Sequence, residues 1–298
     1  MTSLSAIATK TLFRAMLKRE FASKEHAVRH FRRVLDDAPF PSFLPLGVSA
    51  RKMNFAGVPC ERLAPRKPSL TILHLHGGAF IGGKLGTYHP FCGAMARRLQ
   101  AQVILPDYRL APEHPFPAAP DDCLAVYREL INCGTDPADL VVSGDSAGGN
   151  LTLVTLQCAR AEGLPMPRCA VLISPGADLS GAAASWAEND RSDVMLSQNV
   201  IRMMGEVYLQ GHDRSDPRVS PLRGEFEGLP PLLISASDEE CLRDDAYALA
   251  ARARAAGTNA RLLIRPDMPH AWPIFFPLVA EARADMRTIT QFILNARH

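Results

Sequence analysis

The sequence contains no C-x-x-C pair, no basic run interleaved with aromatics, and no apolar stretch near the ~18–20 residues that span a bilayer. Each absence removes a class of function. Lysine and arginine total 33 against 31 acidic residues, a net charge of +2, and aromatics are sparse, with two Trp and five Tyr. Nothing there favours nucleic acid or an anionic membrane as partner. The seven cysteines (Cys60, Cys92, Cys123, Cys133, Cys158, Cys169, Cys241) are odd in number and dispersed. Such a set fits free thiols in a reducing compartment better than a disulfide scaffold. The first acidic residue is Glu20, as a transit peptide would have it, but the apolar core of a secretory signal is lacking. Ala27, Val28, Phe31, Val34 and Leu35 keep a helical apolar stripe. The amino-terminal region therefore reads as folded structure, and the cytoplasm is the expected location.

What is present is an ordinary globular composition, 47% hydrophobic and 21% charged over 298 residues, enough to build a sizeable core in one or two domains. The pattern is helical over about residues 3–36 and closes in the proline-containing stretch 38–47. Two half-polar strands are expected near Val48–Phe55 and Val58–Leu63. A repeated apolar strand, turn and helix then follows. Strands are expected at Leu70–Leu75, Val103–Leu105, Leu140–Ser143, Ala170–Ile173, Leu232–Ala236 and Ala260–Ile264. The crossover helices lie at Phe91–Leu99, Asp121–Ile131, Gly148–Glu162 and Arg243–Ala256. Short apolar strands separated by helices signal a parallel sheet covered on both faces, an α/β layered fold. Residues 180–228 interrupt this rhythm without a strong strand and are too long for a plain loop. Long insertions at strand ends of α/β enzymes commonly form lids. Val200, Met203, Met204, Val207 and Tyr208 have helical spacing there, suited to core packing or to lining an acyl pocket.

The strongest local signal is DLVVSGDSAGGN, residues 139–150. Gly144-x-Ser146-x-Gly148 follows an apolar strand and precedes a helix, which forces the serine out over the sheet end. The helix amides that follow favour developing negative charge. Ser49-Ala50-Arg51-Lys52 also matches an S-x-x-K nucleophile pattern, but it lies in a half-polar strand with no later K-T-G, and reads as a chance match. Upstream, His76-Gly77-Gly78-Ala79 ends a strand in a loop whose amides, with that of Ala147, suit an oxyanion hole. His74 and His76 lie two apart, but nothing completes a metal ligand set around them.

A serine needs an imidazole to take its proton, and the imidazole needs an orienting carboxylate. With the chain order serine, acid, histidine, three of the nine histidines remain: His212 in the inserted segment, His298 at the terminus and His270 after the last strand. His270 is the choice. The acid should follow the strand ending at Ala236, where Asp238, Glu239 and Glu240 stand side by side. Spacing does not separate them.

Together HGGAF, GDSAGGN, DYRLAPEHPFPAA (107–119), DPRVSPL (216–222) and MPH (268–270), in consistent order from residue 74 to 270, resemble the hormone-sensitive-lipase family of carboxylesterases. The resemblance implies an α/β-hydrolase core (46–179 and 229–298) with a helical cap from residues 1–45 and 180–228. It implies hydrolysis of short- to medium-chain acyl esters through an acyl-enzyme on Ser146. The implied triad is Ser146, an acid and His270, with Gly77, Gly78, Ala79 and Ala147 at the oxyanion. Laid on the family's acid loop, SDEECLRDD favours Glu239, although a second alignment favours Glu240. Members usually carry HGGG. Ala79 is tolerable in its last position if its φ is negative. Arg109 and Glu113 are expected to form an ion pair supporting the oxyanion loop. No cofactor and no metal are expected. The expected partner is a small-molecule ester, with a homodimer left open. Hydrolysis of lactones, amides or carbamates on the same triad is the alternative reading, and a non-catalytic receptor on this fold is the rival from another class.

Overall fold

The computed structural model describes residues 2–37 and 42–296. Part of the proline-containing stretch (38–41) and the terminal His298 lie outside the described residues. Eight strands form one sheet: β1 Ser49–Phe55, β2 Val58–Ala64, β3 Leu70–Leu75, β4 Ala101–Pro106, β5 Leu140–Asp145, β6 Cys169–Ile173, β7 Leu232–Ser237 and β8 Ala260–Arg265. Their spatial order is β1-β2-β4-β3-β5-β6-β7-β8. β1 and β2 pair antiparallel, as do β2 and β4, and every other pairing is parallel.

Period-2 alternation explains why the central strands read as continuous apolar runs. Val141 of β5, Val171 and Ile173 of β6 and Leu233 of β7 join one cluster. Their sequence neighbours Leu140, Val142, Ala170, Leu172, Leu232 and Ile234 join another, on the opposite face. The first face is covered by α3 (His89–Leu99) and the carboxyl-terminal α9 (Ala280–Asn295), through Phe91, Met95, Leu99, Met286, Ile289 and Ile293. The second is covered by α4 (Ala118–Asn132), α5 (Ala147–Ala161) and α8 (Arg243–Ala255). Burial on both faces is the largest stabilising term, at roughly 25 cal/mol per Å² of apolar surface.

The amino-terminal region is two helices rather than one continuous stretch: α1 Leu4–Leu17 and α2 Lys24–Arg32, followed by a π turn at Arg33–Asp37. Ser23 starts the second helix by accepting a hydrogen bond from the His26 amide at 3.2 Å, satisfying one of the donors a helix start leaves free. The inserted segment has no strand among its described residues. It holds the one-turn helix α6 Ser185–Glu188 and α7 Gln198–Leu209, with Ser197 capping the latter. Helices α2 and α7 pack together, and Phe31, Met204 and Val200 share one cluster with Ala147. Helix α2 and the insertion's α7 thus lie over the carboxyl end of the interior strand β5. No helix among the described residues is long and apolar enough to cross a membrane.

Candidate active site

Ser146 is the residue between β5 and α5, with φ 55° and ψ −118°. A non-glycine residue there is strained, and such strain persists only where the surroundings over-determine it. Here they do: the Ser146 amide donates to the Ile173 carbonyl at 2.8 Å, and its own carbonyl accepts from Asn150 at 3.1 Å. Gly148 is required by close approach, since a Cβ there would lie 1.9 Å from the Leu75 carbonyl oxygen. Gly148→Ala is expected to cost about 1–3 kcal/mol by overpacking, read as a drop in Tm of about 3–9 °C. An unchanged Tm would contradict so close a crossing of β3 and α5.

The turn leaves the Ser146 side chain half-buried at the boundary of two cavities. One, of about 130 Å³, is walled by Phe13, Leu17, Val34, Ile274 and Phe275 and also touches His270. The other, of about 70 Å³, lies under α7 between Val200, Met204, Leu179 and Leu242. Val200 and Met204 thus line a cavity, whereas Tyr208 stacks on Phe80 in the core at 3.9 Å between ring centroids.

His270 follows β8. Its Nδ1–H donates to Glu240 Oε2 at 2.8 Å, and its Nε2 is buried without a hydrogen-bond partner among the described residues. Glu240 is therefore the carboxylate against the imidazole, which corrects the expected choice of Glu239. Glu239 points away: its carboxylate is 38% exposed and receives Lys10 Nζ at 2.8 Å. Asp238 instead accepts the Asp267 amide at 3.0 Å. Glu240 Oε1 also accepts the Ser237 amide at 3.1 Å. Burial lifts the Glu240 carboxyl above its ordinary range, although the His270 contact pulls it back. Burial pulls the His270 imidazole downward, but its hydrogen bond to Glu240 and that carboxylate's charge outweigh this, so the ring titrates above the ordinary histidine value.

Several further groups position the two loops. The inserted segment clamps the acid loop: Asn189 donates to the Asp238 and Glu240 carbonyls, both at 2.9 Å. Asp193 accepts the Cys241 amide at 2.9 Å, and Ser185 Oγ donates to the Cys241 carbonyl at 2.6 Å. Ser174 Oγ accepts the Ala271 amide at 3.0 Å, steadying the histidine loop. No local sequence pattern announces these contacts. Asp145, by contrast, lies inside the conspicuous GDSAGG run. It accepts from Gly77 N at 3.1 Å and from Tyr88 Oη at 3.2 Å, tying β5 to the glycine loop.

Those contacts also revise the oxyanion loop. The Gly77 amide is engaged by Asp145 and by Tyr88 Oη at 2.9 Å, so it is not free for a substrate oxygen. The amides of Gly78, Ala79 and Ala147 enter no hydrogen bond among the described residues. Ala79 has φ 54°, so the condition of a negative φ for a methyl in this position is not met; the loop turns back so that Gly78 O accepts from Ile81 and Gly82. The expected Arg109–Glu113 pair is also corrected. Arg109 binds Asp122, with Nη2 at 2.7 Å from Oδ1, and Glu113 binds Arg32 at 2.5 Å. His74 bonds Ser143 Oγ at 2.9 Å and His76 stacks on Tyr108 at 4.1 Å. Both serve the core beneath the loop. Among the described residues no group of three His, Cys, Asp or Glu side chains could hold a metal ion.

Comparison with known proteins agrees with this fold. A family model described as alpha/beta hydrolase fold matches residues 72–274. An acetyl-hydrolase of Streptomyces hygroscopicus is 37% identical over 267 residues, covering 89% of each chain. A crystal structure of an esterase from the bacterial hormone-sensitive lipase family superposes with a TM-score of 0.90 at 32% identity, covering 99% of both chains. A crystal structure of EstE5, soaked with p-nitrophenyl butyrate, superposes at 0.89 with 35% identity over 98% of both. The chain belongs to the hormone-sensitive-lipase family of α/β-hydrolase carboxylesterases.

Proposed function

We propose that the protein hydrolyses short- to medium-chain acyl esters through an acyl-enzyme on Ser146, with Glu240 and His270 completing the triad. The observation that carries this reading is the buried Glu240–His270 hydrogen bond of 2.8 Å with the second ring nitrogen left unpartnered, beside a serine on a strained turn in the same cavity. A proton on Nδ1, held by Glu240, leaves Nε2 as the base. Ser146 Oγ attacks the ester carbonyl and passes its proton to His270 Nε2. The carbonyl oxygen becomes an oxyanion held by the amides of Gly78, Ala79 and Ala147, each worth roughly 3–4 kcal/mol if it behaves like other such donors. His270 then protonates the leaving alcohol. Water, deprotonated by the same nitrogen, attacks the acyl-enzyme and releases the acid.

Apolar walls favour acyl groups over charged ones, and the two modest cavities favour short chains. The relative named acetyl-hydrolase supports the same size range. The described residues of 1–45, together with 180–228, act in this reading as the cap over the site. The test is a panel of p-nitrophenyl esters from C2 to C12 together with labelling by a fluorophosphonate. Turnover should be best at short to medium chains and fall about tenfold or more by C12, in line with pocket discrimination of a few kcal/mol. The label should map to Ser146. A label elsewhere, or no turnover of any ester, overturns the proposal.

A further inference from the structure

Helix α1 carries a charge where its periodicity calls for an apolar residue. Its buried positions are Ala6, Phe13 and Leu17, and Lys10 falls between them at the same four-three-four spacing, on the inward stripe. Ala6 is fully buried in the cluster of Trp272, Val279 and Ala282. Phe13 packs on Phe275 at 4.7 Å between ring centroids, and Phe13 and Leu17 wall the cavity that Ser146 and His270 share. The Lys10 side chain is only 17% exposed and reaches two carboxylates, Glu239 at 2.8 Å and Asp267. Glu239 immediately precedes the acid Glu240, and Asp267 stands three residues before His270. The two loops are already joined beneath the lysine, where Asp267 N donates to Asp238 Oδ1 at 3.0 Å and Met268 N donates to Ser237 Oγ at 3.2 Å. Thr2 Oγ1 donates to the other oxygen of Asp267. Lys18, just past the carboxyl end of α1, donates to the carbonyls of Asp190 and Leu196 in the inserted segment.

From this arrangement we infer that Lys10 is a positioning residue that couples closure of the substrate cavity by α1 to alignment of the loops carrying the acid and the base. A neutral side chain at position 10 could satisfy the apolar stripe and would stabilise the helix at least as well. What it could not do is hold both loops from one atom. Two charge-assisted hydrogen bonds from a largely covered ammonium are among the stronger polar contacts available to a chain, and one rigid helix then carries both the cavity wall and the loop tether. The inference rests on the proposed triad, and the test separates the two.

Lys10→Met keeps length and apolar stem while removing the charge. Rates on p-nitrophenyl butyrate are measured per active site, titrated by the fluorophosphonate burst, so that any loss of folded protein cancels. Lys10→Met should lower kcat about tenfold and raise KM about threefold, because loosened loops and a loosened wall act on chemistry and binding together. Lys10→Arg should recover both to within about twofold, since the guanidinium can bridge the same carboxylates. Asp267→Asn should reproduce part of the kcat loss and add little to it when combined with Lys10→Met, as partners in one contact are not additive. If Lys10→Met keeps wild-type kcat and KM per titrated site, or if its kcat loss is fully additive with that of Asp267→Asn, the coupling is refuted while the triad stands. If Lys10→Met yields no folded protein, the Asp267→Asn and Lys10→Arg rates decide: wild-type kcat in Asp267→Asn refutes the inference. Wild-type protein that takes no label at Ser146 would instead refute the triad.

Discussion

Ser146→Ala should lower kcat toward p-nitrophenyl butyrate by roughly 10⁶-fold, about 8 kcal/mol of transition-state stabilisation, as removal of the nucleophile does in other serine hydrolases. The residual rate would come from the oxyanion amides and the cavity, which the substitution leaves in place. The folded state should be untouched, for a physical reason. The strain at φ 55° belongs to the backbone and is paid equally by alanine, and the serine side chain stands half-buried at a cavity wall, its anchoring made by its amide and carbonyl. The Tm should therefore stay within about 2 °C, since the change removes neither a cap nor core volume. Steady-state kinetics and a thermal melt on the same preparation check both halves. A variant retaining more than a few per cent of wild-type kcat would mean that another group is the nucleophile.

Replacing each acid-loop carboxylate separately should split their roles sharply. Glu240→Gln should cost roughly 10⁴-fold in kcat, about 5 kcal/mol. Its amide can offer N–H to His270 Nδ1, which favours the tautomer with the proton on Nε2 and leaves Ser146 without a base. Glu239→Gln keeps a side-chain oxygen that can still accept from Lys10 Nζ and leaves the Lys10–Asp267 contact in place, so it should stay within about threefold of wild type. Equal losses in the two variants would undo the assignment. The pH profile gives an independent reading. His270 must be neutral to act as base, and its pKa is raised above the ordinary 6.5 because the Glu240 contact outweighs burial. The acid limb of kcat/KM should therefore bend above pH 6.5, with activity rising as pH increases through it. In Glu240→Gln the supporting charge is gone while the burial remains, so whatever activity survives should show that limb displaced to lower pH.

Much of this was visible in the residues alone. The six apolar strands β3–β8 and the four crossover helices fall where the apolar runs placed them, because strand and helix periods are local properties that a buried sheet reinforces, and β1 and β2 fall on the two half-polar stretches. The strand–turn–helix placing of Ser146 was legible because a Cβ at Gly144 or Gly148 would clash with neighbouring backbone, and the candidacy of His270 because chain order left few competitors. The break between α1 and α2 was harder to see, since apolar spacing continues across it and only the Ser23 cap marks the restart.

The choice among Asp238, Glu239 and Glu240 depended on the tertiary structure. Three adjacent carboxylates have nearly the same chemistry, and which of them faces the imidazole is set by contacts from Ser237, Asn189 and Asp193, up to 51 positions away in the chain. The same holds for the Gly77 amide, engaged by Asp145 from the next strand, for Ala79, whose positive φ follows from the loop turning back on Gly78, and for Arg109, which found Asp122 one helix away instead of Glu113 close by. Sequence order specifies which groups are available, whereas the directions in which they point come from packing against segments that no local pattern connects.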